Sequence, residues 1–110
     1  MIGGNTTAII QVSTSTKNSI GEDVPVWEEV QSITGWLDYR SGDAKHNVYS
    51  AKIQETTHIF IADYVPLDAS VKADNSRMLV NGERYEVLLI DNPMGLNRQL
   101  EIYLKYTGGQ

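Results

Sequence analysis

The dipeptide Asn81-Gly82 separates two apolar segments in the stretch RMLVNGERYEVLLID, residues 77–91. A two-residue Asn-Gly connection favours a type I′ turn, because both central positions of that turn need a positive φ. Such a turn fixes the register of its flanking strands, with Val80 opposite Glu83, Leu79 opposite Arg84 and Met78 opposite Tyr85. The sequence therefore predicts a tight antiparallel hairpin.

Both faces of this hairpin are apolar beyond its tip. Side chains of a strand point alternately to its two faces. This alternation predicts one face made of Met78, Val80, Tyr85, Val87 and Leu89, and another made of Leu79, Leu88 and Ile90.

Four further segments have the composition or alternation of strands: residues 7–14, 24–39, 56–65 and 98–106. In the second of them, Pro25 argues against a helix and Gly35 suggests a bulge or bend. Six strands without a convincing long helix predict an all-β fold, a small antiparallel β-barrel or sandwich. The 110 residues suit one domain, ending in a flexible tail at 107–110.

A long polar segment, RSGDAKHNVYSAKIQE at residues 40–55, joins the second and third strands. It lacks strand alternation and reads as a loop, part of which could form a short helix. Loops longer than about twelve residues are more often functional or disordered than idle. The segment is therefore predicted to be a mobile interaction loop, with these candidate contact residues: Arg40, Asp43, Lys45, His46, Asn47, Tyr49 and Lys52.

Charge and composition exclude several functions. The formal net charge is −5, which argues against free, high-affinity binding of nucleic acid. The chain has no cysteine, so disulfides and thiolate metal sites are excluded. No signal peptide or membrane span is predicted, so we expect a soluble protein without membrane contact.

The sequence offers little for catalysis. Its two histidines are His46, in the long segment, and His58, whose nearest strand carboxylate, Asp63, falls on the opposite face. Neighbouring carboxylates on a strand also face apart, and no glycine-rich phosphate loop is present. We expect no catalytic residue, no metal and no cofactor, and hence no enzyme.

Aromatic residues are spread over five strands. Core packing or subunit contact is the expected role of four of them: Trp27, Trp36, Tyr64 and Tyr103. A barrel that stacks single-stranded nucleic acid on aromatic rings remains an alternative, although few positive charges accompany these rings.

The order of these features resembles a family. The stretches IGEDVPVWEEV, SITGWLDY, TTHIFIADY, VNGERYEVLLID and LEIYLKY follow one another as in the head-tail joining or head-closure proteins of tailed bacteriophages, over residues 7–106. Two positions depart from that pattern: Asp63, where an arginine often precedes the tyrosine, and Glu83, where an arginine often follows the glycine.

The resemblance implies a structural protein of the virion. It implies a homo-oligomeric ring beneath the portal, with a monomer allowed for the isolated protein, made in the host cytoplasm and built into the head-tail interface. Portal or adaptor rings and tail proteins would be its partners, and double-stranded DNA would pass through without sequence-specific binding. A tail-completion or minor tail protein is the alternative within the same class.

Overall fold

The computed structural model describes residues 2–39 and 55–109, in which six antiparallel strands form one sheet. The strands are β1 Thr6–Lys17, β2 Asp23–Tyr39, β3 His58–Asp63, β4 Ser76–Val80, β5 Glu83–Asp91 and β6 Gln99–Gly109. Short 3₁₀ turns lie at Ala73–Asn75 and Pro93–Gly95. The sheet closes on itself in the order β1-β2-β3-β6-β5-β4. The predicted all-β fold is confirmed, and the architecture is a barrel.

The predicted hairpin is present in the predicted register. Asn81 and Gly82 have φ values of 54° and 81°, as a type I′ turn requires. Val80 pairs with Glu83, Leu79 with Arg84 and Met78 with Tyr85.

The barrel interior is filled by one face of every strand. The largest fully buried side chains are Phe60, Ile10, Met78, Ile102, Leu104 and Val80. At one end, residues 65–73 of the β3–β4 connection pack partly buried apolar side chains against this core. Gln31 secures that connection, since its side chain donates to Pro66 O at 3.0 Å and accepts the Asp68 N–H at 2.8 Å.

The predicted faces of β5 are wrong for Leu89 and Ile90. A bulge after Val87 leaves Leu88 without a direct partner and pairs Leu89 with Tyr103 and Ile90 with Ile102. A bulge adds one residue to one strand, so the alternation changes phase. Ile90 consequently packs against the core, and Leu89 takes the outer face beside Tyr103.

The bulge in β2 lies at Val30, because Ile10 pairs with Gln31 while Gln11 pairs with Glu29. The prediction that placed an irregularity at Gly35 is therefore wrong in position. Gly35 has a different role: a β-carbon there would collide with the carbonyl oxygen of Ile61. Only glycine permits this close approach of neighbouring backbones.

The flexible tail was predicted to start at residue 107, but β6 continues to Gly109. Residues 107–109 belong to β6, with Gly108 opposite Arg84 and Gly109 opposite Glu83. Thr107 is bulged, because Tyr85 pairs with Tyr106 while Arg84 pairs with Gly108, and Gly108 has a φ of 115°.

β1 and β2 extend beyond the barrel as a two-stranded ribbon. β4 pairs with β1 only as far as Val12, and β3 pairs with β2 only from Gly35 onward. Residues 13–17 and 23–27 are therefore paired only with each other. We call residues 13–27 the arm. It contributes to the elongated shape of 47 × 29 × 27 Å.

Candidate functional site

The predicted interaction residues fall in the segment 40–54, outside the described residues. They are Arg40, Asp43, Lys45, His46, Asn47, Tyr49 and Lys52. The positions from which the segment leaves and to which it returns are described. Tyr39 ends β2 and His58 begins β3, and the two are paired across the ladder.

Four rings surround this attachment point. His58 lies 5.4 Å from Tyr39 and 5.0 Å from Tyr85 between ring centroids, both edge-on, and Tyr85 lies 5.4 Å from Tyr106 in the same manner. Edge-to-face packing of this kind adds about 0.5–1.5 kcal/mol per pair beyond the buried area. We call Tyr39, His58, Tyr85 and Tyr106 the aromatic rim. It runs from the buried Tyr85 to the exposed Tyr39.

The His58 ring contacts the hydroxyl group of Thr57. The Thr57 hydroxyl oxygen accepts the Tyr106 N–H at 2.8 Å and lies 2.9 Å from His58 Nδ1. Burial lowers the pKa of His58, and the negative charge of Glu83 opposes that effect in part.

Two phenols of the rim, those of Tyr85 and Tyr106, have raised pKa values. Tyr106 donates its hydroxyl to a carboxylate oxygen of Glu83 at 2.8 Å, and this bond raises the pKa of Tyr106. Burial is the main cause that raises the pKa of Tyr85, with a smaller effect from Glu83. These groups suit packing and hydrogen bonding better than proton abstraction.

The returning end of the segment 40–54 is fixed to β6. Thr57 N–H donates to Leu104 O at 2.9 Å, and Lys105 Nζ lies 3.7 Å from a carboxylate oxygen of Glu55. Both ends of that segment are thus attached to ordered strands of the barrel.

The four aromatic residues predicted for core or interface all lie outside the buried core. Trp27 is 36% exposed and Trp36 41% exposed. Tyr103 lies on the outer face between Ile59 and Leu89, and Tyr64 follows β3 with its N–H bonded to Arg98 O. Their predicted core role is wrong, because Trp27 belongs to the arm and Trp36 and Tyr103 occupy outward positions of their strands. Their interface role stays a prediction.

The tip of the arm is built around Asn18. Its side-chain oxygen accepts the N–H groups of Ile20 at 3.0 Å and Glu22 at 2.9 Å. Lys17 and Asp23 close the ribbon with a salt bridge of 2.9 Å. This turn presents Ile20, which is 76% exposed, next to the Glu22 carboxylate.

A cleft of about 540 Å³ lies between the base of the arm and the outer face of β4 and β5. Its charged and polar lining includes Arg77, Arg84, Glu86, Asp74 and Thr107. Trp27, Ala73, Val87 and Leu88 supply its apolar lining.

Arg77 is positioned by two contacts in this cleft. Its Nε donates to Gln11 Oε1 at 2.7 Å, and its guanidinium stands 4.1 Å from the centre of the Trp27 ring. That distance is typical of a cation–π contact.

Sequence reasoning missed the two arginines as a pair. The hairpin register nevertheless places the two arginines on one face. Arg84 lies opposite Leu79, and Leu79 shares a face with Arg77, which is two residues away on the same strand. Gln11 and Trp27 could not be added from sequence, because their approach depends on how β1 and β2 fold over β4.

Two kinds of feature are absent from residues 2–39 and 55–109. No group of three or more histidine, aspartate or glutamate side chains comes together there as a metal site would require. Helices of the length and apolar character that a membrane crossing needs are not found there either.

No protein-family model and no curated protein sequence matches this chain. Among solved structures, the chain is similar to protein SF1141 from Shigella flexneri 2a, with a TM-score of 0.72. The two are 18% identical, and the alignment covers 97% of this chain and 96% of the other. At that identity the likeness shows a shared fold.

Proposed function

We propose that this chain is a structural protein of a tailed bacteriophage virion, which forms a ring that closes the filled head and receives the tail. The observation that carries the proposal is the arm. A two-stranded ribbon is marginally stable by itself in water. An arm with uncovered apolar residues at its tip and base is therefore suited to a neighbouring subunit.

The aromatic rim supports the same role. It lies where the segment 40–54 leaves and re-enters the barrel, since Tyr39 ends β2 and His58 begins β3. A ring protein can use such a segment to narrow the DNA channel or to hold an adjacent ring. Acidic net charge suits a conduit, since a wall that bound phosphates tightly would retain the DNA it must release.

Electron microscopy of the particles that accumulate when the gene is disrupted tests this function. We expect filled or leaking heads beside complete free tails. Intact heads beside incomplete tails would instead support a tail-completion protein. Normal infectious particles would overturn any role in joining. Re-expression of the unchanged chain is the control, because it should restore joined particles.

A further inference from the structure

The cleft beside the arm holds two arginines without an acidic partner. Among the described residues the ion pairs are Lys17–Asp23 and Lys105–Glu55, and neither involves an arginine. Arg84 Nε is buried and has no hydrogen-bond partner. A buried donor without an acceptor is unfavourable, so a ligand that brings acceptor oxygens would be bound at this position.

The electrostatics of the cleft point the same way. Burial is the main cause that lowers the pKa of Arg77, and the positive charge of Arg84 lowers it further. Two guanidinium groups close enough to affect each other repel, and a carboxylate between them would relieve that repulsion. Guanidinium groups also bind carboxylates through paired N–H donors.

The other residues that line the cleft determine which kind of anion fits it. Asp74 and Glu86 share the cleft with the arginines and would repel a run of phosphates. Trp27, Ala73 and Leu88 provide apolar lining beside the positive charges. A single carboxylate with an apolar neighbour fits this lining better than a nucleic-acid backbone does.

The tip of the arm presents that combination. Ile20 and Glu22 are both exposed and are held in one turn by Asn18. The tip cannot fill the cleft of its own chain. Trp27 is paired with Ser13 at the base of the arm. Four further pairs, the last of which is Lys17–Asp23, lie between this pair and the tip. They place the tip about 13–15 Å of extended chain away from Trp27.

We propose that the cleft binds the arm tip, residues 18–22, of a second copy of this chain. The Glu22 carboxylate is received between Arg77 and Arg84, and Ile20 lies on the apolar part of the lining. The two surfaces differ, so each copy offers a tip and a cleft, and repetition gives a ring when the rotation closes. The choice of partner rests on the proposed ring-forming function.

Engineered cysteines test the contact, because the natural chain has none. One variant carries Ser19→Cys at the tip, a second carries Asp74→Cys in the cleft, and they are mixed under mild oxidation. The control replaces the cleft variant with Met94→Cys, because Met94 is 90% exposed and lies outside the cleft. We expect the mixed disulfide between Ser19→Cys and Asp74→Cys to form at least about tenfold faster than the one with this control. Equal rates would overturn the proposal.

Charge reversal shows whether the carboxylate directs the contact. Arg84→Glu in the cleft variant should reduce the rate to the control level, and Glu22→Arg in the tip variant should restore it. A thermal melt of each variant verifies folding, and Arg84→Gln serves if the reversal unfolds the chain. Failure of the paired reversal to restore the rate counts against the assignment of Glu22.

Fluorescence of Trp27 identifies the ligand class in a Trp36→Phe background, where Trp27 is the remaining tryptophan. The probes are a blocked peptide of residues 17–23, the same peptide with glutamine at position 22, a single-stranded oligodeoxynucleotide and inorganic phosphate. We expect saturable binding of the first peptide, about tenfold weaker binding of the second and no response to the others. A response to the oligonucleotide alone would overturn the proposal in favour of nucleic acid.

The two proposals fail separately. If cross-links stay at the control level while gene disruption leaves unjoined heads and tails, the contact is wrong and the joining role stands. If cross-links form as expected while disruption leaves normal particles, the contact stands between copies and the joining role is wrong.

Discussion

The backbone of Gly4 crosses directly over the backbone of Gly35. A β-carbon on Gly4 would collide with the Cα and carbonyl group of Gly35, and one on Gly35 would collide with the Ile61 carbonyl oxygen. The crossing carries the N-terminal residues from β1 across β2 to β3. There the N–H groups of Ile2 and Gly3 donate to the two carboxylate oxygens of Asp63, at 2.6 and 2.8 Å.

Gly35→Ala should therefore destabilise the barrel by about 1 to 3 kcal/mol, the usual cost of forcing an extra methyl group into a packed site. The added methyl group would meet the carbonyl oxygen of Ile61 and the Cα and Cβ of Ala62, so β3 would have to move away from β2. Denaturant unfolding followed by circular dichroism measures the change. Ser32→Ala, at an exposed position of the same strand, is the matched control and should change stability by less than about 0.5 kcal/mol. Equal effects of the two substitutions would mean that the crossing is looser than described.

Asp63 should make stability depend on pH in the acidic range. The N–H groups of Ile2 and, to a smaller extent, Gly3 lower the pKa of Asp63, and desolvation opposes them. Because the folded pKa is below the unfolded one, which is about 3.9, the contribution is present above that value. It is lost as pH falls through the lowered folded pKa.

Unfolding midpoints between pH 6 and pH 3 test this expectation. Asp63→Asn should show a weaker loss of stability than the parent below about pH 4. Some dependence should remain, because the hydroxyl and N–H of Ser70 lower the pKa of Asp68 in the same direction. Identical pH profiles for parent and variant would contradict the assigned hydrogen bonds.

Gly82→Val should cost on the order of 1 to 2 kcal/mol, because a β-branched residue would be forced to a φ of 81°. Gly82→Asn is the control, since asparagine tolerates the left-handed region. Thermal unfolding of both variants gives the comparison. An unchanged melting temperature for the valine variant would show that the turn does not constrain the fold.

Local patterns account for much of what the sequence predicted correctly. Asn81-Gly82 fixes its own turn, and Leu100, Ile102 and Leu104 alternate strictly with polar residues. The hairpin and the last strand could therefore be predicted from residues that are close in sequence. The bulges at Val30 and Leu88 could not be predicted in this way. A bulge is defined by the partner strand, and nothing in an apolar run marks which residue will lack a direct partner.

The candidate sites were harder to predict from the sequence, because they too depend on contacts between residues that are distant in sequence. Asp63 is bound by residues about sixty positions away, and Arg77 reaches Gln11 across the closure of the barrel. The first strand was predicted to end at residue 14 but continues to Lys17, since its polar residues beyond position 14 resemble a turn and their pairing depends on the opposite strand. The shared face of Arg77 and Arg84 could have been derived from the hairpin register, but it was missed.

Ile102→Ala should destabilise the fold by roughly 2 to 5 kcal/mol, because the side chain is completely enclosed by the barrel core. Tyr103→Ala removes a larger side chain from the outer face, which is only partly buried, and should cost less in the isolated protein. Urea unfolding of the two variants side by side is the measurement. Small and equal effects would contradict the assigned faces of β6.

The segment 40–54 should be required for joining and dispensable for folding. Tyr39 and His58, which flank it, are paired neighbours on β2 and β3. Paired residues of an antiparallel ladder lie about 5 Å apart, so a short linker can connect the strands. The closure entropy also depends only weakly on loop length. Replacing residues 42–52 with a short Gly-Ser linker should therefore leave the melting temperature nearly unchanged.

The same variant should fail to join heads to tails in an infectivity or particle-joining assay, because the predicted contact residues would be lost together. A second variant, with residues 42–52 scrambled at constant length and composition, separates the two explanations for that failure. If only the shortened chain fails, the segment acts through its length. If both fail, its sequence makes a specific contact. A shortened chain that joins heads to tails as well as the parent would reduce the segment to a connector, and the arm and the cleft would then be the proposed assembly surfaces left to test.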